Sequence, residues 1–262
     1  MSDIVVKSIS LYPIKSLDPV VVESAQILSS GALEHDREFA LFDEQGHWIN
    51  GKRDGRIHRI RAHYDLPQLL VTWGIKDSPS SQPKTFHLVD NPRELEDWFG
   101  NYFGFRVLVK RNTQTGFPDD LEAPGPTIIG SSTLQEVGSW FGILDPVETS
   151  RRFRANVEVA TESPFWEDCL FGEPGTTLTF RIGDVIVHGV NPCQRCVVPS
   201  RNPSTGAPTP DFQRRFAAKR AETLPIWSTQ SRFNHYYRLA VNTRIPQSEA
   251  GKFLRAGDPV IR

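Results

Sequence analysis

The chain has 262 residues, 38% of them hydrophobic and 23% charged, which fits a globular protein and excludes a disordered or fibrous one. With 30 basic against 31 acidic residues the formal net charge is -1, so no global field favours nucleic acid or an acidic membrane, and any cationic patch must be local. No apolar run is long enough to span a bilayer, and "MSDIVVKSIS" leads into alternating sequence without a signal-peptide pattern; the expectation is a soluble cytoplasmic protein.

The first hundred residues read as β-rich. "IVVKSISLYPI", "VVVESAQIL", "EFALFDEQGHWIN" and "QLLVTW" are short apolar or alternating runs divided by Gly, Pro, Asp and Asn. "FDEQGHW", residues 42 to 48, predicts a hairpin in which Gly46 takes the positive φ angle. "NPRELEDWFGNYFG", residues 91 to 104, predicts a helix: Asn91 caps it, Pro92 opens it, Leu95, Trp98 and Phe99 share a face, and Gly100 ends it. Residues 112 to 127, rich in Pro, Gly and Asp, mark a long loop or a domain boundary. "SSTLQEVGSWFG" predicts a second helix, capped from Ser131 to Thr133, with Leu134, Val137 and Trp140 at helical spacing. "FRANVEVA" and "TLTFRIGDVIVHGV" return to strand-like alternation and suggest a β-barrel. "SRNPSTGAPTPDF" then reads as a loop and "DFQRRFAAKRAETL" as a helix, and "YYRLAVNTRI" and "AGDPVIR" give two late strands.

Chemistry concentrates in four stretches. "NPCQRC" holds Cys193 and Cys196, two of three cysteines in the chain; a disulfide framework is implausible, and in a reducing compartment such a pair is more often metal-binding or catalytic. Zinc needs four ligands, for which Cys169 and His188 are the irregularly spaced candidates. A redox dithiol needs a following helix, against which the two prolines of "VVPSRNP" argue. A nucleophilic cysteine has His35, His188 and His235 as possible bases, and a packing role is open as well. In "LYPIKSL" a proline turn presents Lys15 and Ser16 as a small anion site, the bland alternative being a solvated lysine. In "EHDREF" the bland reading of Arg37 is a surface ion pair. In "RRFRANVEV" three arginines precede a strand, and Arg154 and Asn156, at alternate positions, are expected on one side of it.

Taken in order, "LYPIKSL", "DREF", "RRFRANVEV", "TFRIGDVIVHG", "CQRC" and "RAGDPVIR" resemble the MOSC family, the molybdenum cofactor sulfurase C-terminal domain proteins. The similarity covers nearly the whole chain and is greatest to the amidoxime-reducing group, in which an N-terminal MOSC β-barrel domain precedes the MOSC domain. What the resemblance implies is a mostly β fold with some α: a β-barrel-like domain, residues 1 to 111, packed against a MOSC β-barrel domain with a few helices, residues 112 to 262. It further implies a molybdenum cofactor (molybdopterin) between them, with Cys196 as the protein ligand to molybdenum and the catalytic residue. By the same match Lys15, Ser16, Arg37, Arg154 and Asn156 bind the phosphate and pterin, with Gln194 as a further donor where some relatives have Ser. A thiolate is the soft ligand that a metal–sulfur centre accepts, and Arg195 is expected to favour it.

The implied activity is reduction of an N-hydroxylated or N-oxide small molecule. Some relatives carry a C-terminal ferredoxin-like domain, whereas this chain stops at Arg262, and three cysteines cannot supply the four thiolates of an iron–sulfur cluster. A separate electron-donor protein, of a ferredoxin- or cytochrome-like reductase chain, is therefore expected. The alternative is a sulfur carrier with a persulfide on Cys196, resolved by Cys193, serving metal–sulfur cluster or cofactor assembly. The loop "SRNPSTGAPTPDFQRRF" departs from the pattern of the amidoxime reducers, which leaves the substrate open.

Overall fold

The computed structural model describes residues 4 to 76 and 82 to 262. The first half contains β1 (Val6–Leu11), β2 (Val20–Val22), β3 (Ser24–Gln26), β4 (Phe39–Phe42), β5 (Ile60–Asp65), β6 (Leu70–Ile75), β7 (Lys84–His87), α1 (Pro92–Phe103) and β8 (Leu108–Arg111). After the long loop come β9 (Ile128–Gly130), α2 (Ser131–Ser139), α3 (Pro146–Phe153), β10 (Val157–Val159), β11 (Leu178–Ile182) and β12 (Val185–Gln194). The last elements are α4 (Phe212–Glu222), β13 (Arg238–Arg244), β14 (Phe253–Arg255) and β15 (Val260–Ile261). The fold is mostly β with some α.

An eight-stranded sheet runs in the order β15-β11-β12-β13-β9-β10-β1-β2. Its pairs are antiparallel except β9 with β10. Near the chain ends the sheet curls back: Val5 bridges Pro259, and Val260 N–H donates to the Ile4 carbonyl at 2.8 Å. The ladder does not close continuously, so the expected barrels are curled open sheets. A bulge between Val6 and Ser8 shifts the phase of β1, and Val6, Ile9 and Leu11 become its buried residues in place of a strict alternation. In β12 the alternation is regular, with Val185, Val187 and Gly189 inward. Gly189 is required there because a Cβ would stand 1.7 Å from the Leu170 carbonyl oxygen, where the turn Trp166–Leu170 crosses the strand.

Two large cores result. The first joins Val6, Ile9 and Ala25 from the start of the chain to Val187, Val241 and Leu254 from its second half. The second lies under β4 to β8 and α1, where the Trp73 ring sits 4.8 Å from Phe86 and 4.7 Å from Phe99. Rings in that range attract through their quadrupoles as well as through burial. A third cluster packs α2 and α4 around Phe153 and Phe216.

Several local expectations need correction. Gly46 does turn the 42–48 hairpin, at φ 78°. Helix α1, however, runs through Gly100 to Phe103, because Phe103 belongs to the second core, and Gly104 in the left-handed region ends it. Asn91 makes no cap bond; its amide donates to Glu94 at 2.6 Å. Ser131 to Thr133 lie inside α2, tied to Thr161 and Glu167, and Gly130 holds the cap position. Helix α3 was not anticipated: it takes in Arg151 and Arg152, so those arginines end a helix and do not precede a strand directly.

Candidate functional site

Three candidate residues sit in left-handed backbone, where a side chain costs about 1–2 kcal/mol: Ser16 at φ 78°, Arg37 at φ 51° and Arg154 at φ 54°. Such strain persists where the surroundings over-determine it, commonly at binding sites. The 12–17 turn is fixed by Lys15 N–H on the Phe39 carbonyl at 2.8 Å and Leu17 N–H on Ile14 at 3.1 Å. Lys15 is buried and not solvated: its Nζ donates to the Phe117 carbonyl at 2.8 Å, lies 3.1 Å from Asp119 and stands 4.6 Å over the Trp48 ring. Burial lowers its pKa against the pull of Asp119. Arg37 pairs with Asp36 at 2.6 Å in a mostly buried setting, and Asp36 also accepts from Tyr12 N–H at 3.0 Å. This is more than a surface pair.

Arg154 caps α3, and its guanidinium stands 4.1 Å from the centroid of the Tyr12 ring, from which the Arg37 guanidinium is 5.6 Å. Its guanidinium has no hydrogen-bond or ion-pair partner among the described residues, and burial, with Arg37 adding repulsion, lowers its pKa. Since Arg154 precedes β10 in left-handed backbone, strand alternation does not relate it to Asn156. Asn156 is buried and committed internally: Oδ1 accepts from Thr127 N–H and Oγ1, and Nδ2 donates to Ser10 at 3.1 Å. It tethers β1 to β9 and is absent from the walls of the cleft that the other candidates share.

That cleft, about 630 Å³, is lined by Lys15, Ser16, Arg37, Arg154, Gln194 and Cys196, and also by Cys193 and Arg195. Ten Lys and Arg side chains face it, against Asp18, Asp119 and Asp120. Asp18 is shared by Arg61 at 3.1 Å and Arg151 at 2.8 Å, and Asp119 by Lys15 and Lys52. Among the described residues Arg154, Arg195, Arg232 and Arg238 lie within ion-pair distance of no carboxylate. A nearly neutral chain thus concentrates uncompensated positive charge in one cavity, which favours an anionic ligand.

Cys193 is the penultimate residue of strand β12 and Cys196 follows the strand, ahead of the short turn Val198–Ser200. Arg195 Nη1 donates to the Cys193 sulfur at 3.2 Å, its Nη2 bonds the Phe153 carbonyl, and its buried Nε has no partner. Burial opposes the charge on Arg195, but the two cysteine sulfurs outweigh it and raise its pKa. Cys169 lies elsewhere, against the first core, where burial raises its thiol pKa. His35 bonds Glu38 at 2.7 Å and His188 bonds Thr179 at 2.9 Å; neither these nor His235 lines the cleft. No group of three potential metal-ligating His, Cys, Asp or Glu side chains converges among the described residues.

The sequence reading missed Asp18, His58, Arg61, Arg151, Arg232 and Arg238, all of which line the cleft. His58 is buried with Nε2 unpartnered, and burial, then Arg154 and Arg201, lower its pKa to about 4, so it is neutral near pH 7. Its only local signal is "GRIHR", a histidine amid basic residues; Arg238 fell within "YYRLAVNTRI", read only as a strand, and Arg232 in a stretch given no reading.

Fold and site together define a two-core β protein with a cationic, cysteine-lined cleft suited to an anionic ligand. The chain belongs to the MOSC family: residues 3–105 match the MOSC N-terminal beta barrel domain and residues 132–261 the MOSC domain. Molybdenum cofactor sulfurase of Drosophila grimshawi is 24% identical over 96% of this chain and 34% of its own length. Human mitochondrial amidoxime reducing component 2 is 24% identical over 96% of this chain and 81% of its own, and the Xenopus laevis component 1 is 22% identical over 98% and 82%. The chain therefore spans about a third of the sulfurases it matches. No helix among the described residues is long and apolar enough to cross a membrane.

Proposed function

We propose that the cleft holds a molybdenum cofactor and that the chain is an oxidoreductase acting on N-hydroxylated or N-oxide small molecules, with electrons from a separate donor protein. The observation that carries this reading is the joint presence in one cavity of Cys193, Cys196, Arg154 and Arg195, the two arginines having no carboxylate partner among the described residues. The donor set fits the group: guanidinium and ammonium donors suit a phosphate tail, and a thiolate suits molybdenum.

In this proposal residues 1 to 111 and 112 to 262 act as two units that contribute opposite parts of the site. Lys15, Ser16 and Arg37 come from the first, and Arg154, Gln194 and Cys196 from the second. When bound, the cofactor supplies the two-electron exchange that removes oxygen from the substrate. Cys196 provides the protein thiolate. Arg154 and Arg37, held beside Tyr12, bind the anionic tail, and Lys15 joins them by exchanging Asp119 for it. Asn156 supports the site by tying β1 to β9 and does not touch the ligand.

Purification from a cofactor-competent host, with molybdenum and pterin assayed together, tests the reading; well-folded protein lacking both counts against it. The relatives named as sulfurases, and the presence of both cysteines in one cleft, favour a second reading, a persulfide carrier on Cys196. Persulfide on Cys196, with no molybdenum and no reductase activity from an artificial donor, selects that one.

A further inference from the structure

Beside Cys193 the cleft carries polar groups that the cofactor proposal leaves unused. Arg232 Nη2 donates to the Val190 carbonyl at 2.6 Å. Arg238 Nη1 donates to the Pro192 carbonyl at 3.1 Å and Nη2 to Asn234 Oδ1 at 2.9 Å, while its buried Nε has no partner. Both guanidiniums are thus held on the backbone of β12 just ahead of Cys193. They repel one another, and burial first, then for Arg238 that repulsion, lowers their pKa. The carboxylate that Arg232 senses, Glu173, is bonded by Ser231 and lies outside ion-pair distance.

The neighbouring amides point the same way chemically. Asn191 and Asn234 both line the cleft and use their oxygens internally, Asn191 Oδ1 accepting from Asn242 at 3.0 Å and Asn234 Oδ1 from Arg238. Their side-chain Nδ2 groups make no hydrogen bond among the described residues. Two cations and two amides are therefore left with donors and no anionic acceptor.

We infer that Arg232 and Arg238, with Asn191 and Asn234, form a subsite for the carboxylate of a small-molecule substrate, placed next to the cysteine pair. A carboxylate is the planar oxyanion that a guanidinium fork meets with two donors at once. The inference rests on the proposed reductase reading and names its substrate class: molecules carrying a carboxylate besides the reducible nitrogen–oxygen group.

The test is calorimetry on the cofactor-loaded protein with benzoate and with benzamide, its neutral counterpart of similar shape. Benzoate is expected to bind at least about tenfold more tightly, since charge-assisted bonds are the stronger ones. Arg232→Gln and Arg238→Gln are each expected to weaken benzoate about tenfold or more while molybdenum and pterin content stay unchanged, and Arg238→Lys is expected to recover part of the loss. Equal binding of benzoate and benzamide overturns the subsite, as does unchanged benzoate affinity in both glutamine variants. Loss of molybdenum or pterin in either variant also overturns it, by assigning the arginine to the cofactor. If the wild-type protein holds neither molybdenum nor pterin yet binds benzoate through the two arginines, the subsite stands and the reductase reading fails.

Discussion

Arg195 donates to the sulfur of Cys193 at 3.2 Å, so of the two cysteines it is the first that takes a hydrogen bond from the cation between them. Its charge is felt by both sulfurs, but this bond breaks the symmetry of the pair. In the proposed site Cys196 is free to ligate molybdenum, and Cys193 is engaged with Arg195. Cys196→Ser is expected to abolish molybdenum-dependent turnover, and Cys193→Ser to leave much of it. Turnover with an artificial donor, normalised to molybdenum content, checks this; equal loss in both variants points to a dithiol or a two-ligand site.

Arg154 separates stability from binding. As a non-glycine cap at φ 54° it costs about 1–2 kcal/mol, more than the ~0.5–1 kcal/mol that a stacked cation contributes. Arg154→Gly is therefore expected to raise the melting temperature of the cofactor-free protein. The same change removes a charge-assisted contact to the ligand, about 1.5–3 kcal/mol, and is expected to weaken cofactor retention tenfold or more. Thermal melts paired with pterin release measure both, and unchanged pterin retention removes Arg154 from the site.

How much of this was legible in the sequence depends on the range of the interaction. Local signals held where the determinant was local, as for the Gly46 turn and the alternation of Val185 and Val187. Gly100 misled because a glycine ends a helix only when nothing downstream needs to be buried, and Phe103 does. The cluster Lys15, Arg37 and Arg154 was found through ordered motifs, yet its burial, its left-handed backbone and the shared Tyr12 ring depend on contacts far apart in the chain. Arg232 and Arg238 had no signal at all, since their roles come from carbonyls of a neighbouring strand.

Asn156 shows the reverse case, a motif residue that the fold uses itself. Asn156→Ala strips acceptors from Thr127 N–H and Oγ1 and a donor from the Ser10 carbonyl, leaving partly buried groups unpaired. The expected loss is about 1–3 kcal/mol of stability in urea unfolding. Cofactor content per folded molecule is expected to stay unchanged, and a fall in it with stability intact places Asn156 at the ligand after all.

Glu167 gives the pH dependence of stability. Its side chain is fully buried, Oε2 accepts from Thr133 Oγ1 at 2.8 Å, and Oε1 has no partner. Burial, then the neighbouring Asp168, raises its pKa to about 7. Because the folded value lies above the unfolded one, its contribution is fully present below the ordinary glutamate range and is lost as pH rises through about 7. The span corresponds to on the order of 3 kcal/mol. His58 works in the opposite sense: its pKa is lowered to about 4, so its contribution is present above the usual histidine value and lost as pH falls toward 4. Comparison of wild type with Glu167→Gln cancels the histidine. The variant keeps an acceptor for Thr133 and cannot ionise, so the two proteins are expected to be similar near pH 4 and the variant the more stable above pH 7. Urea midpoints measured across that range check it, and a stability difference that does not change with pH would mean that Glu167 titrates as it does in the unfolded chain.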